Sequence, residues 1–582
     1  MPLIELINSP SELRCMDEGA LPQIAEEIRL LLLKIIPEKG GHFSSNLGVV
    51  ELTVALHYIF DTPSDKLVWD VGHQSYPHKI LTGRRELLST IRQYKGLCGF
   101  TSRDESLFDC FGAGHASTSI AAAFGILEGM RLKGEPFFSV AIIGDGALTG
   151  GLSFEALNNA GHAGHLEPKR LVVVFNDNDM SIDPNVGAIS KLINHTLIHP
   201  GYNRIRQEIK NILTSFGGEK SGVHQFVSNL RKSLKTFFSA GILFESFGFR
   251  YLGPISGHDL PALLSTFRFI KEDDGKGGPY FVHVLTKKGK GYQKAEEAPL
   301  KYHGVSPFEV KDGLQKNPSP KINFQDVFAQ TLIELATDNP QIIAITAAMP
   351  SGTGLVAFQK KFPDRFYDVG IAEAYAVTFA AGLATEGLQP VVAIYSTFLQ
   401  RAYDQVIHDV AIQRLPIVFA LDRAGLVGAD GATHQGIFDL SYLRCIPNMV
   451  IMAPKDEYEL IDMLRSALEY KEGPIAIRYP RGEIVFPRLD ISFPKKSIPI
   501  GKAEELSLLP PTVKIDIVLI GIGFAVQSAI QAEKLLTEIG LRVAIINARF
   551  VKPLDEILLI RYISKSTLVV TIEENNGAFF VL

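Results

Sequence analysis

The stretch Phe138-Ser139-Val140-Ala141-Ile142-Ile143-Gly144-Asp145-Gly146-Ala147 runs an apolar, strand-like segment straight into a glycine turn that carries a single acid. A second stretch, Leu171-Val172-Val173-Val174-Phe175-Asn176-Asp177-Asn178, ends another apolar run on amide and acid side chains. Across residues 114–175 such runs alternate with helical stretches. That is the pattern of a parallel sheet buried on both faces, so the fold class is α/β. Open α/β sheets bind ligands beyond the carboxyl ends of their strands, which is where both polar turns fall. An acid in a glycine turn and an amide oxygen from a second strand end suit Mg2+, which takes a few hard oxygen ligands and leaves positions for substrate phosphates. The glycines let backbone N–H groups approach a diphosphate. Alone, Gly144-Asp145-Gly146 reads equally well as a tight turn and Asn176-Asp177-Asn178 as an Asx-turn. Their joint occurrence at two strand ends favours a cation and diphosphate site.

The same apolar runs return at 342–346, 390–395, 417–421 and 450–452, and again at 515–520, 541–546 and 567–572. Three consecutive α/β domains with mainly parallel sheets are expected. Residues 311–321 and about 487–511 are rich in proline and polar side chains, where few contacts should cross, and the boundaries are placed there. The expected domains are 1–315, 322–490 and 498–582. Residues 194–239 turn polar and basic with helical periodicity and no strand signal. They read as an insertion or mobile arm whose charge marks a solvated helix face.

A chain of 582 residues is several times the usual domain size, so burial is not limiting. A formal charge of −5 over this length supplies no basic field for nucleic acid or anionic lipid. The four cysteines, Cys15, Cys98, Cys110 and Cys445, show no CxxC spacing and are too few for a disulfide framework, which points to a reducing cytosol. The first residues lack a basic segment followed by an apolar core and are too acidic for a transit peptide. The most apolar run, 28–36, is short for a membrane span and contains Lys34. Neither nucleic acid nor membrane is expected as a partner.

The pairing of Gly144-Asp145-Gly146 with Asn178 resembles the thiamine-diphosphate signature of the transketolase superfamily. Two further runs, 42–85 (beginning HFSSNLG) and 114–125 (GHASTSIAAAFG), are similar over their whole length to its 1-deoxy-D-xylulose-5-phosphate synthase family, as is much of the second domain. The resemblance implies a transketolase-like fold, thiamine diphosphate and Mg2+ as cofactors, and a homodimer in which both halves of the site come from one chain. It implies that Asp145, the side chain of Asn178 and the backbone carbonyl of Met180 hold Mg2+, and that Gly146 and Ala147 face the diphosphate. His73, Gly114, His115 and Ala116 would line the same side. The implied substrates are pyruvate and D-glyceraldehyde 3-phosphate, joined with loss of CO2 at the first step of isoprenoid precursor synthesis, which also feeds thiamine and pyridoxal pathways.

In the second domain, 368–384 (DVGIAEAYAVTFAAGLA) places Glu373 inside an apolar helical pattern. A lone acid there is expensive unless partnered, though an acid at a helix start also compensates the dipole. By resemblance Glu373 shares its proton with N1′ of the cofactor's aminopyrimidine. The family pattern often has Gln-His after this residue, whereas Ala374 and Tyr375 follow here. The run 395–456 and the motif 478–482 (RYPRG) continue the likeness. There Tyr395, Arg401, Arg423 and Arg481 are implied substrate contacts, with the two guanidiniums of Arg423 and Arg481 suited to a phosphate monoester. Phe398 would pack on the aminopyrimidine. His42, His434, Asp430 and Arg92 would act on the reacting groups, as histidines suit proton transfer near neutral pH. Two alternatives stay open: a transketolase or 2-oxoacid decarboxylase on the same scaffold, and a non-catalytic relative, since the third domain is expected to be shorter than the family's.

Overall fold

The computed structural model describes residues 2–162, 169–178, 241–316, 322–428, 430–485, 496–507 and 513–575. The expected arm at 194–239 and the implied ligand Met180 lie outside the described residues, as do parts of both linkers. Contacts divide the chain into two units, Met1–Asn317 and Pro318–Leu582.

In the first unit the strands are β1 (Gly41–His42), β2 (Lys66–Trp69), β3 (Ser139–Gly144), β4 (Leu171–Asp177), β5 (Arg250–Ser256), β6 (Tyr280–Leu285) and β7 (Gly304–Val305). Five of them form a parallel sheet in the order β2-β3-β4-β6-β5, and β1 pairs antiparallel with β7. Val140, Ile142, Val172, Val174, Val282 and Val284 are buried because helices cover both faces, which explains the unbroken apolar runs. The helix Leu21–Lys39 buries Ile24, Ile28, Leu32 and Ile36, one per turn, into the same core. Each such side chain contributes about 1.5–3 kcal/mol. The parallel registry pairs Gly144 with Asn176 and Asn176 with Val284, so the carboxyl ends of three strands finish level.

In the second unit the strands are β8 (Ile342–Thr346), β9 (Phe366–Asp368), β10 (Gln389–Tyr395), β11 (Val418–Ala424), β12 (Val450–Met452), β13 (Ile475–Pro480), β14 (Glu504–Glu505), β15 (Ile515–Gly521), β16 (Val543–Asn547), β17 (Phe550–Lys552) and β18 (Ser566–Ile572). Among the described residues they form two sheets, β17-β12-β13-β11-β10-β8-β9 and β14-β16-β15-β18. Every pair is parallel except β12–β17 and β14–β16. The expectation that few contacts cross the second linker differs from the structure. Strand β17, from the last third of the chain, extends the sheet built by 342–480. The described part of the linker is also tied on both sides. Ile498 N donates to Ser466 Oγ at 2.6 Å, and β14 pairs with β16. Among the described residues no helix is long and apolar enough to cross a membrane.

Candidate active site

In the first unit the strand ends assemble a polar patch. Asp145 opens the short helix Asp145–Leu148 directly after β3 and is 8% exposed. Its Oδ1 accepts from Gly146 N at 2.9 Å and its Oδ2 from Asn178 N at 3.0 Å, so the two expected metal ligands are brought together. Asn178 Oδ1 is buried without a hydrogen-bond partner among the described residues. A buried acceptor left unmade costs about 1–3 kcal/mol, and a hard cation bridging it to Asp145 would satisfy it. The donor set therefore fits Mg2+. Burial pushes the Asp145 carboxyl up to about 6, against the attraction of Lys288.

The turn carrying Gly114, His115 and Ala116 is held against this patch. Asp70, just past β2, accepts from Ser117 N at 2.7 Å and from Ser119 N at 2.9 Å, while Ser117 Oγ donates to the Ala147 carbonyl at 2.7 Å. Ser117 adopts φ 72°, a left-handed conformation uncommon outside glycine, and these three bonds hold it there.

His42 and His73 meet beside it. Their ring centroids lie 5.5 Å apart, and His303 closes a triangle at 6.0 Å from His42 and 5.2 Å from His73. Asn46 staples the two loops, its Nδ2 donating to the His42 and His73 carbonyls at 2.8 Å each and its Oδ1 accepting from Tyr76 N at 2.8 Å. The Arg92 stem lies against Gly99 and Gly41, next to His42. Loss of solvent, reinforced by Lys288, pushes His73 down to about 3 and His303 well below its ordinary value. Both shifts favour the neutral ring. Burial also lowers Lys288 to about 8, with Asp145 opposing.

In the second unit Glu373 begins the helix Glu373–Thr385 and is 4% exposed. Burial raises its carboxyl pKa, while Arg401, whose Nη1 stands 3.9 Å from Oε2, pulls the other way. The expected acceptor residues gather at the ends of β10 and β11. The Tyr395 and Phe398 rings stack at 5.8 Å, Phe398 meets His434 edge-on at 5.5 Å, and the Arg423 guanidinium lies over Tyr395 at 4.0 Å. Arg481 Nη1 stands 3.9 Å from Asp430 Oδ2. The loop holding Asp430 and His434 is pinned at its base by reciprocal backbone bonds between Gly425 and Gly436, at 2.7 and 2.8 Å. Burial pushes the Tyr395 phenol up to about 12 and Asp422, beside Arg423, up to about 6.

Sequence reading missed Asp70, Tyr76, Lys288, His303 and Asp422. For Lys288 a signal existed: Lys287-Lys288-Gly289-Lys290-Gly291 is a glycine-flanked basic run just past β6, at the ligand-binding end of the sheet. His303 had none, because only the β1–β7 pairing brings it to His42.

Residues 320–485 match the family described as transketolase, pyrimidine binding domain, and 512–579 the family described as transketolase, C-terminal domain. With the strand-end patch and the buried Glu373, the fold and site define a transketolase-type protein. Residues 4–286 match the family described as 1-deoxy-D-xylulose-5-phosphate synthase. The chain is 51% identical over 575 residues to the 1-deoxy-D-xylulose-5-phosphate synthase of Desulforudis audaxviator, covering 99% of this chain and 88% of that one. It is 51% identical over 574 residues to synthase 1 of Geobacter sulfurreducens and 52% over 575 residues to the synthase of Thermomicrobium roseum, covering in each case 98% of this chain and 88% of the relative. The chain belongs to the 1-deoxy-D-xylulose-5-phosphate synthase family.

Proposed function

We propose that the protein catalyses the decarboxylative condensation of pyruvate with D-glyceraldehyde 3-phosphate to 1-deoxy-D-xylulose 5-phosphate and CO2, using thiamine diphosphate and Mg2+. The observation that carries the reading is the match to synthases along 99% of the chain, at 51% identity. The product opens isoprenoid precursor synthesis. A homodimer and a cytosolic location belong to the same reading and rest on the family resemblance.

Asp145 and the Asn178 side chain would hold Mg2+, and the Gly146 and Ala147 backbone would receive the diphosphate. When bound, thiamine diphosphate supplies a carbon nucleophile for the pyruvate carbonyl and an electron sink for the pair released with CO2. Glu373, whose carboxyl burial biases towards the protonated form, would hold a proton that it could share with a basic ring nitrogen of the bound cofactor. His42, in the first-unit cluster with neutral His73 and His303, donates a hydrogen bond to developing carbonyl oxygens. Arg423 and Arg481 recognise the phosphate of the aldehyde, with His434 and Asp430 orienting its carbonyl end.

The test is CO2 release from pyruvate by the purified chain with Mg2+ and thiamine diphosphate, with and without glyceraldehyde 3-phosphate, beside a Glu373→Ala control. Release that rises with the aldehyde and vanishes in the variant is expected. Release indifferent to the aldehyde, or sugar-phosphate ketol transfer without CO2, would overturn the assignment.

A further inference from the structure

Arg423 reaches its position by an unusual route. Strand β11 breaks register with β13 between Leu421 and Ala424, and Arg423 takes φ 58°. A left-handed conformation at a bulky residue costs on the order of 1–3 kcal/mol and persists only where surroundings over-determine it. What over-determines it is visible at one guanidinium nitrogen. Nη1 donates to Gln325 Oε1 at 2.9 Å and to the Gly352 carbonyl at 2.7 Å, and it also contacts the Asp422 carboxylate. Nε and Nη2 make no hydrogen bond to a described residue, and the face of the group rests on Tyr395.

The two neutral acceptors are themselves rigidly placed. Gln325 is the second residue of the helix Phe324–Asp338, whose start is fixed by a capping box between Asn323 and Asp326 and by the buried Phe324. Gly352 sits in a turn locked onto that same helix. At Gly354, φ 77°, an added Cβ would stand 2.9 Å from the Gln325 carbonyl and 3.1 Å from Ala329 Cβ. Gly352 itself has no room for a side chain, since a Cβ there would stand 2.1 Å from Tyr395 Oη. Helix start, turn and tyrosine thus form one saddle under the arginine.

We propose that Gln325 is a positioning residue for acceptor specificity. With the Gly352 carbonyl and the Asp422 carboxylate it occupies Nη1 of Arg423, so that the Nε–Nη2 edge is the edge offered side-on to the phosphate of the aldehyde. A guanidinium binds a phosphate bidentately along one edge at a time, so fixing which edge is free fixes where the phosphate sits. The inference rests on the reading of Arg423 as phosphate anchor and goes beyond it, because the part assigned to Gln325 acts only through the Arg423 guanidinium.

The test compares kcat/KM of the holoenzyme for glyceraldehyde 3-phosphate and for unphosphorylated glyceraldehyde, in Gln325→Leu, Gln325→Glu and Arg423→Met. Leucine keeps the bulk and removes the acceptor. The preference for the phosphorylated aldehyde should fall about tenfold, equivalent to about 1.4 kcal/mol, through KM and not through turnover of glyceraldehyde. Glutamate restores an acceptor oxygen and should keep the preference within about threefold of the parent. If both aldehydes decline together in Gln325→Leu, the residue is only structural and the proposal fails. An unchanged preference in Gln325→Leu alongside a collapsed one in Arg423→Met also sinks it while leaving the anchor intact. An unchanged preference in Arg423→Met overturns anchor and proposal together.

Discussion

Replacing Glu373 by glutamine isolates one proton. The side chain keeps its length and one carbonyl oxygen in a place that is 4% exposed, so packing at the start of the helix Glu373–Thr385 is preserved. What disappears is a carboxyl group whose pKa is raised by burial and held in check by Arg401 at 3.9 Å. Positioned acid–base groups contribute 10²–10⁴-fold, which is about 2.7–5.5 kcal/mol of barrier. Little stability should be lost, because a buried acid is itself a burden and its amide analogue is not. The direct assay is the rate at which the bound cofactor's C2 proton exchanges with deuterium, read by quenched-flow NMR alongside steady-state turnover. Both rates should fall by about a hundredfold or more while cofactor affinity stays near that of the parent. An exchange rate within about threefold of the parent, with cofactor demonstrably bound, would show that Glu373 does not handle this proton.

Other perturbations probe the remaining parts. Asn178→Ala removes an acceptor that has no described partner, so the thermal stability of the metal-free protein should hold, while Mn2+ affinity measured by paramagnetic titration should drop about 10–100-fold. Asp109→Asn breaks a buried cluster in which Asp109 accepts from Arg84 at 2.7 and 2.9 Å and is bonded to His78 at 2.9 Å, and it should cost about 3–5 kcal/mol in urea unfolding. The Asp109 carboxyl is held far below its ordinary 3.8 by His78 and Arg84 despite burial. Its contribution to stability is therefore present above pH 3.8 and lost on acidification below it, and that acid-side slope should shrink in the variant. Gly352→Ala drives a methyl group into Tyr395 Oη, 2.1 Å away, so KM for glyceraldehyde 3-phosphate should rise at least about tenfold with pyruvate decarboxylation spared. An unchanged KM would mean that the Tyr395 hydroxyl is not part of the phosphate subsite.

The sequence was legible where burial is complete. Runs 342–346 and 450–452 coincide with β8 and β12 because both are fully buried strands, whose ends are marked by the first non-apolar or turn-forming residue. Strand β5 was not legible: its residues are partly exposed and Gly253-Pro254 interrupts it, so neither alternation nor an apolar run survives. Strand β17 is three residues long and takes its identity from β12, far away in sequence, which is why the last block looked separable. In the site, Asp145 and Asn178 announced themselves as polar groups at the ends of apolar runs, and Glu373 as an acid among alanines. Residues whose part depends on what they touch were silent. Gln325 is an ordinary first-turn glutamine until the Arg423 guanidinium arrives beside it.

The buried histidines and carboxyls of the candidate site share one tendency that bears on the chemistry. Burial pushes histidines down and acids up, so His73 and His303 stand neutral and Glu373 is biased towards its protonated form. Lys288 keeps most of its charge at neutral pH, and the acid that supports that charge is Asp145, on the side of the proposed metal. Arginine cannot shed its proton under any such pressure. On the proposed function, the acceptor half presents the guanidiniums of Arg423 and Arg481 to the phosphate of the aldehyde. A cation paired with the carboxylate of pyruvate would stabilise the ground state and slow loss of CO2, whereas neutral imidazoles can polarise a carbonyl oxygen without ion-pairing the carboxylate. On the proposed function, His73 and His303, biased towards the uncharged form by desolvation, would be the groups of the first unit that assist decarboxylation. If an introduced charge there, as in His303→Lys, left decarboxylation unimpaired while the protein stayed folded, that division between neutral and permanently charged groups would not be what governs the reaction.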